Sequence, residues 1–351
     1  MKRFVTLLLA AGAVAAIPAV AQVNAPAINI DASTPLTMPD DVYLGEVGGV
    51  ATNSKGDIFV YTRTGHPTIS LGGARAFAHG GTQLFQFDKD GKYVKEWGRN
   101  MYGMMFASQV RVDAQDNVWA VDQMTNTVIK FDPNGNLSML LGRKAEALAI
   151  PTRPPAPPAE GSPAAQRPGA GPQNDVFNRP TDVAFDAAGN IFVADGQGNA
   201  RIAKFNKDGV FVKSWGYKGT EPGLFANVRS IAVDAQGNVY AADGGNHRIQ
   251  VFDNDGNFKA QYGGLGNPQA ICITKGANPV LYVSNSNPPN NIDVAGEIYK
   301  MSLDGKVLGK FGRAGKMLKE FGTANAIDCR NENQLLVGEI GNLRVQRVVL
   351  R

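Results

Sequence analysis

The chain has 351 residues, of which 43% are hydrophobic, and its 35 basic and 31 acidic residues give a formal charge of +4. This near-balance excludes a bulk electrostatic case for nucleic acid or for an anionic membrane as the partner, and the hydrophobic fraction excludes general disorder. The 41 glycines, 20 prolines and two cysteines indicate a turn-rich β protein that does not depend on a disulfide framework.

Residues 1–21 have the organisation of a secretory signal. Two basic residues precede an apolar stretch over residues 4–17, and small residues follow up to Ala21. This order predicts export, with cleavage near Ala21 and a periplasmic or secreted mature protein. No later segment has 18 consecutive apolar residues, so no membrane span is expected.

After an extended lead-in at residues 22–37, one sequence unit recurs six times. The phrase Ile-Phe-Val-Ala-Asp-Gly at residues 191–196 returns as Val-Tyr-Ala-Ala-Asp-Gly at 239–244. Further copies lie at residues 58–62, 118–122, 281–285 and 335–339. Short apolar segments and glycine-containing hairpin turns surround the copies, so each repeat contains about four short strands.

Four strands in a repeat of about 40–50 residues are typical of a β-propeller blade. The sequence therefore predicts an all-β fold, a six-bladed β-propeller over residues 38–351. The last repeat lacks a fourth strand, and we expect residues 42–46 to supply it and so to close the ring. A proline-rich insert at residues 150–173 is expected to form an extended, polyproline-like loop.

The segments Asn-Ala-Arg-Ile at 199–202 and Asn-His-Arg-Ile at 246–249 resemble the NHL repeat. Residues 177–216, which begin Phe-Asn-Arg-Pro-Thr-Asp and end Trp-Gly, are similar to the lyase domain of the peptide-amidating enzymes. The resemblance covers about residues 45–351. It implies the propeller fold, whereas the function has to be argued from the site.

The resemblance to the amidating lyases also implies a zinc ion held by three histidines near the starts of three first strands. Here those positions hold Ser108, Arg229 and Asn325. An arginine would place a permanent cation where a divalent metal should bind. The family's tyrosine position holds Gln197, and only Arg63 keeps the family's pattern. Zinc-dependent lyase chemistry is therefore not expected.

Loops between strands two and three, and loops between blades, fall on the same face of a propeller. Nearly all departures from the repeat lie in these loops, and loops on a rigid scaffold commonly carry function. The ligand-binding candidates near this face are Arg63, Ser108, Gln109, Asp182, Gln197, Arg229 and Asn325. Arginine together with neutral amides suits a carboxylate or another small anion.

We therefore hypothesise an exported, monomeric binding module, a non-catalytic relative of the lyases. Its partner would be a small anionic ligand, a peptide or another envelope protein. Pairing between Arg229 and Asp182 is the structural alternative for these two residues. The enzymatic alternative is a lyase-like or calcium-dependent lactonase-like site on the same face.

Calcium would need about six oxygen ligands, usually with two or three carboxylates. Of the residues that would converge, Gln109, Asp182, Gln269 and Asn325, only Asp182 is charged. No cofactor is therefore assigned. The recurring aspartates Asp122, Asp195 and Asp243 are interpreted as structural acids of the repeat.

The three histidines, His66, His79 and His247, are expected to be exposed loop residues rather than metal ligands. The two cysteines begin the inner strands of neighbouring blades. Alignment of the repeats places Cys272 at the position of Ala184 and Cys329 at that of Phe185. Because these positions point to opposite faces of a strand, free buried thiols are expected.

Overall fold

The structure is a computed structural model that describes residues 23–63, 69–71, 75–77, 81–101, 103–142, 176–288 and 291–351. The signal-like segment, His66, His79 and the proline-rich insert lie outside these residues. Six antiparallel sheets of four strands form the predicted six-bladed propeller. The first strands of successive blades contact each other, and blade six returns to blade one.

The strands of the first three blades follow the predicted order. Blade one contains Glu46–Thr52, Ile58–Arg63, Thr82–Phe87 and Tyr93–Trp97. Blade two contains Ala107–Val112, Val118–Asp122, Thr127–Phe131 and Leu137–Gly142. Blade three contains Asp182–Phe185, Ile191–Asp195, Arg201–Phe205 and Phe211–Trp215. A small additional hairpin, Ile69–Leu71 with Arg75–Phe77, lies between the second and third strands of blade one.

The second half of the ring repeats this arrangement. Blade four contains Val228–Val233, Val239–Asp243, Arg248–Phe252 and Phe258–Tyr262, with a 3₁₀ turn at Gly244–Asn246. Blade five contains Pro268–Ile273, Val280–Asn285, Ile298–Ser302 and Val307–Phe311. Blade six contains Ala324–Asn331, Gln334–Glu339, Arg344–Leu350 and Ile30–Ser33. No helix in these ranges is long and apolar enough to span a membrane.

The hydrophobic core lies between blades rather than at the centre of the ring. The second strands, which carry the repeated phrase, are buried on both faces because each blade is sandwiched between two neighbours. Each apolar cluster joins two adjacent blades, as where Phe192 of blade three packs with Phe252 of blade four. This packing explains why the phrase is almost continuously apolar instead of alternating.

The recurring acids are structural, as predicted. Asp195 is fully buried and accepts a hydrogen bond from Arg201 Nε at 2.9 Å and from Asn199 Nδ2 at 2.6 Å. Asp243 pairs in the same way with Arg248 at 3.0 Å. Burial raises the pKa of both carboxyls, and the hydrogen bonds only partly oppose this effect. The NHL-like segments thus encode a buried ion pair that holds the second and third strands together.

The strand that closes the ring is Ile30–Ser33, which pairs with Arg344–Leu350 from Ile30↔Leu350 to Ser33↔Arg347. The expectation that residues 42–46 supply it was wrong. The closing strand lies at the outer edge of blade six, whereas Glu46–Thr52 begins blade one at the axis. Three strand spacings of about 4.8 Å separate these places. Because residues 42–46 directly precede the innermost strand of blade one, they cannot also reach the outer edge of blade six.

The residues around this strand bind two further blades. Ala27 forms a parallel bridge with Lys310 of blade five, and Thr37 forms one with Lys92 of blade one. Ile28 packs against the apolar cluster between blades five and six. The N-terminal segment therefore connects three blades across the closure of the ring.

Cys272 and Cys329 form a disulfide, with Cα atoms 6.0 Å apart, so the expectation of free thiols was wrong. The two residues do lie on opposite faces of their own strands. However, adjacent blades stack face to face, and side chains that meet between blades come from opposite faces. Both sulfurs therefore enter the same layer between blades five and six.

Candidate functional site

The inner strands of five blades carry an irregularity at the same end of the channel. The pairing register shifts around Gly48, Ser108, Arg229, Gln269 and Asn325. A β-bulge leaves a residue unpaired and re-aims its side chain. These bulges direct one position from each of five blades towards the axis. Three of them are the positions at which the resemblance implied metal-binding histidines.

A cavity of about 460 Å³ lies above these bulges. Six of the seven predicted ligand-binding residues line it: Arg63, Ser108, Gln109, Gln197, Arg229 and Asn325. Asp182 does not line it. The interpretation from sequence missed several loop residues of this wall, including Arg179, Asn267 and Asn287. Their only sequence signal is their position in loops between blades and between strands two and three.

Arg229 is the most unusual of these residues. Its side chain is half-buried, and its Nε is buried without a hydrogen-bond partner among the described residues. No carboxylate in the described ranges forms an ion pair with it. Burial lowers the pKa of its guanidinium, because desolvation disfavours the charged form. The structure thus places a poorly compensated cation in the wall of the cavity.

Arg63 is held firmly by its neighbours. Its Nε lies 2.6 Å from Glu46 Oε2, and its Nη1 donates to the Ala107 carbonyl at 3.0 Å. Its guanidinium also stacks over the Phe106 ring, 3.7 Å from the ring centroid. Its charge is therefore largely compensated within the protein. Arg179, the third arginine at the cavity, is exposed.

The amide residues form a neutral, hydrogen-bonded wall. Asn325 Nδ2 donates to the carbonyls of Gly48 at 2.6 Å and Ser108 at 3.1 Å. Its Oδ1 accepts from Gln269 Nε2 at 2.7 Å, and Gln109 Oε1 accepts from the Val110 N–H at 3.0 Å. This network joins the inner strands of several blades and keeps the wall rigid and uncharged.

Asp182 pairs with Arg111, not with Arg229 as the alternative supposed. Arg111 donates from Nε and Nη2 to the carboxylate at 2.9 and 2.7 Å. The carboxylate also accepts from Ser230 Oγ at 2.6 Å and from the Ile231 N–H at 3.1 Å. Asp182 is therefore a satisfied structural acid below the cavity.

Arg111 was missed from sequence, although it contacts the inner strands of four other blades. Besides the Asp182 pair, it donates to Ser230 Oγ at 3.2 Å and to the carbonyls of Ile271 at 3.3 Å and Ile327 at 3.2 Å. The available signal was a charged residue inside the apolar first strand of blade two. Three other blades have alanine at the equivalent position.

These contacts do not fit the zinc implied by the resemblance. Ser108 Oγ donates to the Thr181 carbonyl at 2.8 Å, Asn325 is engaged as described, and Arg229 is a cation. Calcium does not fit either. Asp182 is the one carboxylate among the four residues considered as calcium ligands, and it is paired with Arg111 and does not line the cavity. No group of three or more histidine, cysteine, aspartate or glutamate side chains in the described ranges is arranged to hold a metal.

His247 lies away from this cavity wall. It is exposed, has φ = 57°, and its Nδ1 is 3.2 Å from the Gly266 carbonyl. This agrees with the expectation that His247 is an exposed loop residue. The predictions for His66 and His79 concern residues outside the described part of the chain.

Comparisons with known proteins agree with this architecture. The NHL repeat model matches residues 177–205 and 225–252. Peptidyl-alpha-hydroxyglycine alpha-amidating lyase 1 of Drosophila melanogaster is 26% identical over 89% of this chain and 58% of its own length. Peptidylglycine alpha-amidating monooxygenase of Rattus norvegicus is 28% identical over 61% of this chain and 21% of its own length.

This chain therefore spans less than two thirds of either relative. A gluconolactonase structure from Xanthomonas campestris superposes with a TM-score of 0.55 at 16% identity, covering 96% of this chain and 98% of that protein. At this identity the likeness concerns the fold alone. The protein is thus a six-bladed β-propeller that contains NHL repeats and is related in sequence to the amidating lyases.

Proposed function

We propose that this protein is a non-catalytic, ligand-binding propeller and that its axial cavity binds the carboxylate of a small molecule or peptide. The observation that carries the proposal is Arg229, whose Nε is buried in the cavity wall without a partner among the described residues. A partly desolvated guanidinium without a counter-charge is costly, and a bound carboxylate would offset that cost through bidentate hydrogen bonds.

The charge of the cavity favours an anion. Its described lining contains three arginines, Arg63, Arg179 and Arg229, and no acidic residue. Arg63 is compensated by Glu46, which leaves Arg229 as a half-buried charge with a buried, unpartnered Nε and Arg179 as an exposed charge. The surrounding glutamines and asparagines supply neutral donors and acceptors for the polar remainder of a ligand. A carboxylate therefore complements this cavity better than a cation does.

The identity of the bulged residues argues against retained lyase chemistry. Ser108, Arg229 and Asn325 supply neither the imidazoles of a zinc site nor a cluster of carboxylates. Their side chains instead brace neighbouring strands or present a cation. An enzyme with a rearranged site on the same face is the alternative, and metal content separates the two hypotheses.

We further propose that the mature protein acts outside the cytoplasm, after cleavage near Ala21. The signal-like organisation of residues 1–21 supports export, and so does the disulfide between Cys272 and Cys329. Disulfides form and persist mainly in oxidising compartments such as the periplasm. The ligand would then be a periplasmic or extracellular molecule.

The test uses probe pairs that differ in the carboxylate, measured by calorimetry on the full-length mature protein. N-acetyl-alanyl-alanine is compared with its C-terminal amide, and gluconate is compared with sorbitol, which is its uncharged open-chain counterpart. The carboxylate of at least one pair should bind more tightly than its neutral match. Arg229→Ala should weaken that binding by at least about tenfold, the loss expected for charge-assisted hydrogen bonds.

Arg99→Ala is the matched control, because the Arg99 side chain is 78% exposed and does not line the cavity. It should leave probe affinity unchanged. Equal affinity of the wild type and Arg229→Ala for every carboxylate would contradict the proposal. Elemental analysis of chelator-free protein provides a second test. About one zinc per chain would overturn the non-catalytic assignment, and calcium alone would favour the lactonase-like alternative.

A further inference from the structure

A second cavity, of about 300 Å³, lies between blades six and one at the opposite end of the first strands. We call it the closure groove, because it lies at the joint between the last and the first blade. Blade one contributes the turn that follows Thr52, together with Lys89, and blade six contributes Asp328, Arg330 and Arg347. No residue is shared between this groove and the axial cavity.

The strand register explains why these side chains meet. Asp328 lies opposite Leu336, and Leu336 lies opposite Arg347, so the three side chains form one row across blade six. Leu336 packs into the apolar cluster between blades six and one. The row therefore faces blade one, and Arg347 lies at the outer end of the groove.

The two arginines of the groove have donors to spare. Within the described ranges, neither the Arg330 nor the Arg347 side chain makes a hydrogen bond or an ion pair, although both side chains are partly buried. Each guanidinium carries five N–H donors in a planar fork that matches an oxyanion. Lys89 adds a third cation to the lining, and its Nζ is bonded to the exposed Asp90 at 2.8 Å.

The acidic residue of the groove is already occupied. Asp328 Oδ2 accepts from the Thr52 N–H at 2.6 Å, and Oδ1 accepts from the Arg330 N–H at 3.0 Å and from Thr52 Oγ1 at 3.2 Å. Asp116, just outside the lining, accepts from the Ser54 N–H at 2.8 Å. The lining itself thus contains three cations and one carboxylate, with Asp90 beside Lys89 and Asp116 near Arg330 at its edge.

We propose that the closure groove binds a doubly charged oxyanion of the phosphate or sulfate type. Two guanidiniums with unused donors, beside a lysine, match the charge and the several acceptor oxygens of such a dianion. The groove is larger than a single ion. It therefore accommodates a phosphate or sulfate group that is carried on a larger molecule.

The experiment is calorimetric titration of the mature protein at constant ionic strength and mildly alkaline pH, where phosphate is a dianion. The probes are inorganic phosphate, sulfate, glycerol 3-phosphate and acetate. Phosphate and sulfate should bind, and acetate should bind at least about tenfold more weakly, because a single charge leaves one cation unmatched. Glycerol 3-phosphate binding more tightly than inorganic phosphate would identify an ester as the ligand, and equal or weaker binding would identify the free ion.

Arg330→Gln combined with Arg347→Gln should weaken phosphate binding by at least about tenfold. Lys207→Gln combined with Lys259→Gln removes the same charge from exposed positions on blades three and four, opposite the groove, and should change affinity less than about twofold. The single arginine variants give intermediate losses and serve if the double variant does not fold. Equal phosphate affinity in both double variants, acetate affinity equal to that for phosphate, or no binding to the wild type would each overturn the proposal.

Discussion

Replacement of Arg111 by methionine should destabilise the propeller strongly, because this residue holds five blades together at the axis. Asp182 is fully buried, and the substitution removes its ion pair. Loss of one partner of a buried ion pair costs about 3–5 kcal/mol of unfolding free energy. Three donors to the carboxylate remain, from Ser230, Val183 and Ile231, and they stabilise it in part. We therefore expect a loss of about 3–4 kcal/mol, in the lower half of that range.

The assay is urea unfolding of the oxidised protein, followed by fluorescence and circular dichroism in parallel to test for a single transition. Asp182→Asn in the Arg111→Met background removes the uncompensated charge while it keeps an acceptor for Ser230. It should recover about 1–3 kcal/mol, the coupling expected between residues in contact. A loss below about 1 kcal/mol for Arg111→Met, or no recovery in the double variant, would refute the role of the ion pair.

Two further predictions concern the disulfide and a surface turn. The Cys272–Cys329 disulfide spans 57 residues. Replacement of both cysteines by serine should therefore lower the unfolding free energy by about 4 kcal/mol through loop-closure entropy, and a reductant should change the melting temperature of the wild type but not that of the variant. Hydrogen bonds from Asn136 lower the pKa of Asp132 below 3.8, so the stabilisation by this carboxylate is present above its unfolded-state pKa and is lost as the pH falls through the lowered value. The stability difference between wild type and Asp132→Asn should thus shrink from neutral pH towards strong acid, and a difference independent of pH would contradict this.

Local sequence patterns were sufficient to predict the repeating strands. The apolar phrase ending in aspartate depends on burial between two blades, and the hairpin turns depend on glycine at positive φ, as at Gly189 (φ 83°) and Gly209 (φ 79°). The apolar strand and the glycine turn are both visible in the sequence of a single repeat. The blade count and the face that carries the cavity therefore followed from the sequence.

Prediction failed where the answer depended on distances between blades. The closing strand and the disulfide partners are decided by which elements meet after the ring forms. Residues 42–46 are more apolar than residues 30–33, yet residues 30–33 close the ring because only they lie at the outer edge of blade six. The alternation of side chains along a strand correctly placed the two cysteines on opposite faces of their own strands. It does not show which residues of the neighbouring blade lie opposite each face.

The candidate site shows the same division. Arg63, Ser108, Gln197, Arg229 and Asn325 were named from sequence because they stand at positions that the resemblance to the amidating lyases marks, and Gln109 because it lies near a strand start. The sequence by itself thus determined the fold, the face and six of the sixteen described residues of the cavity wall. Only the tertiary structure decided which charged side chains pair. Asp182 forms an ion pair with Arg111, and Arg229 forms no ion pair within the described residues. Pairing across a channel depends on distances of a few ångströms between side chains from different blades, and no one-dimensional pattern contains those distances.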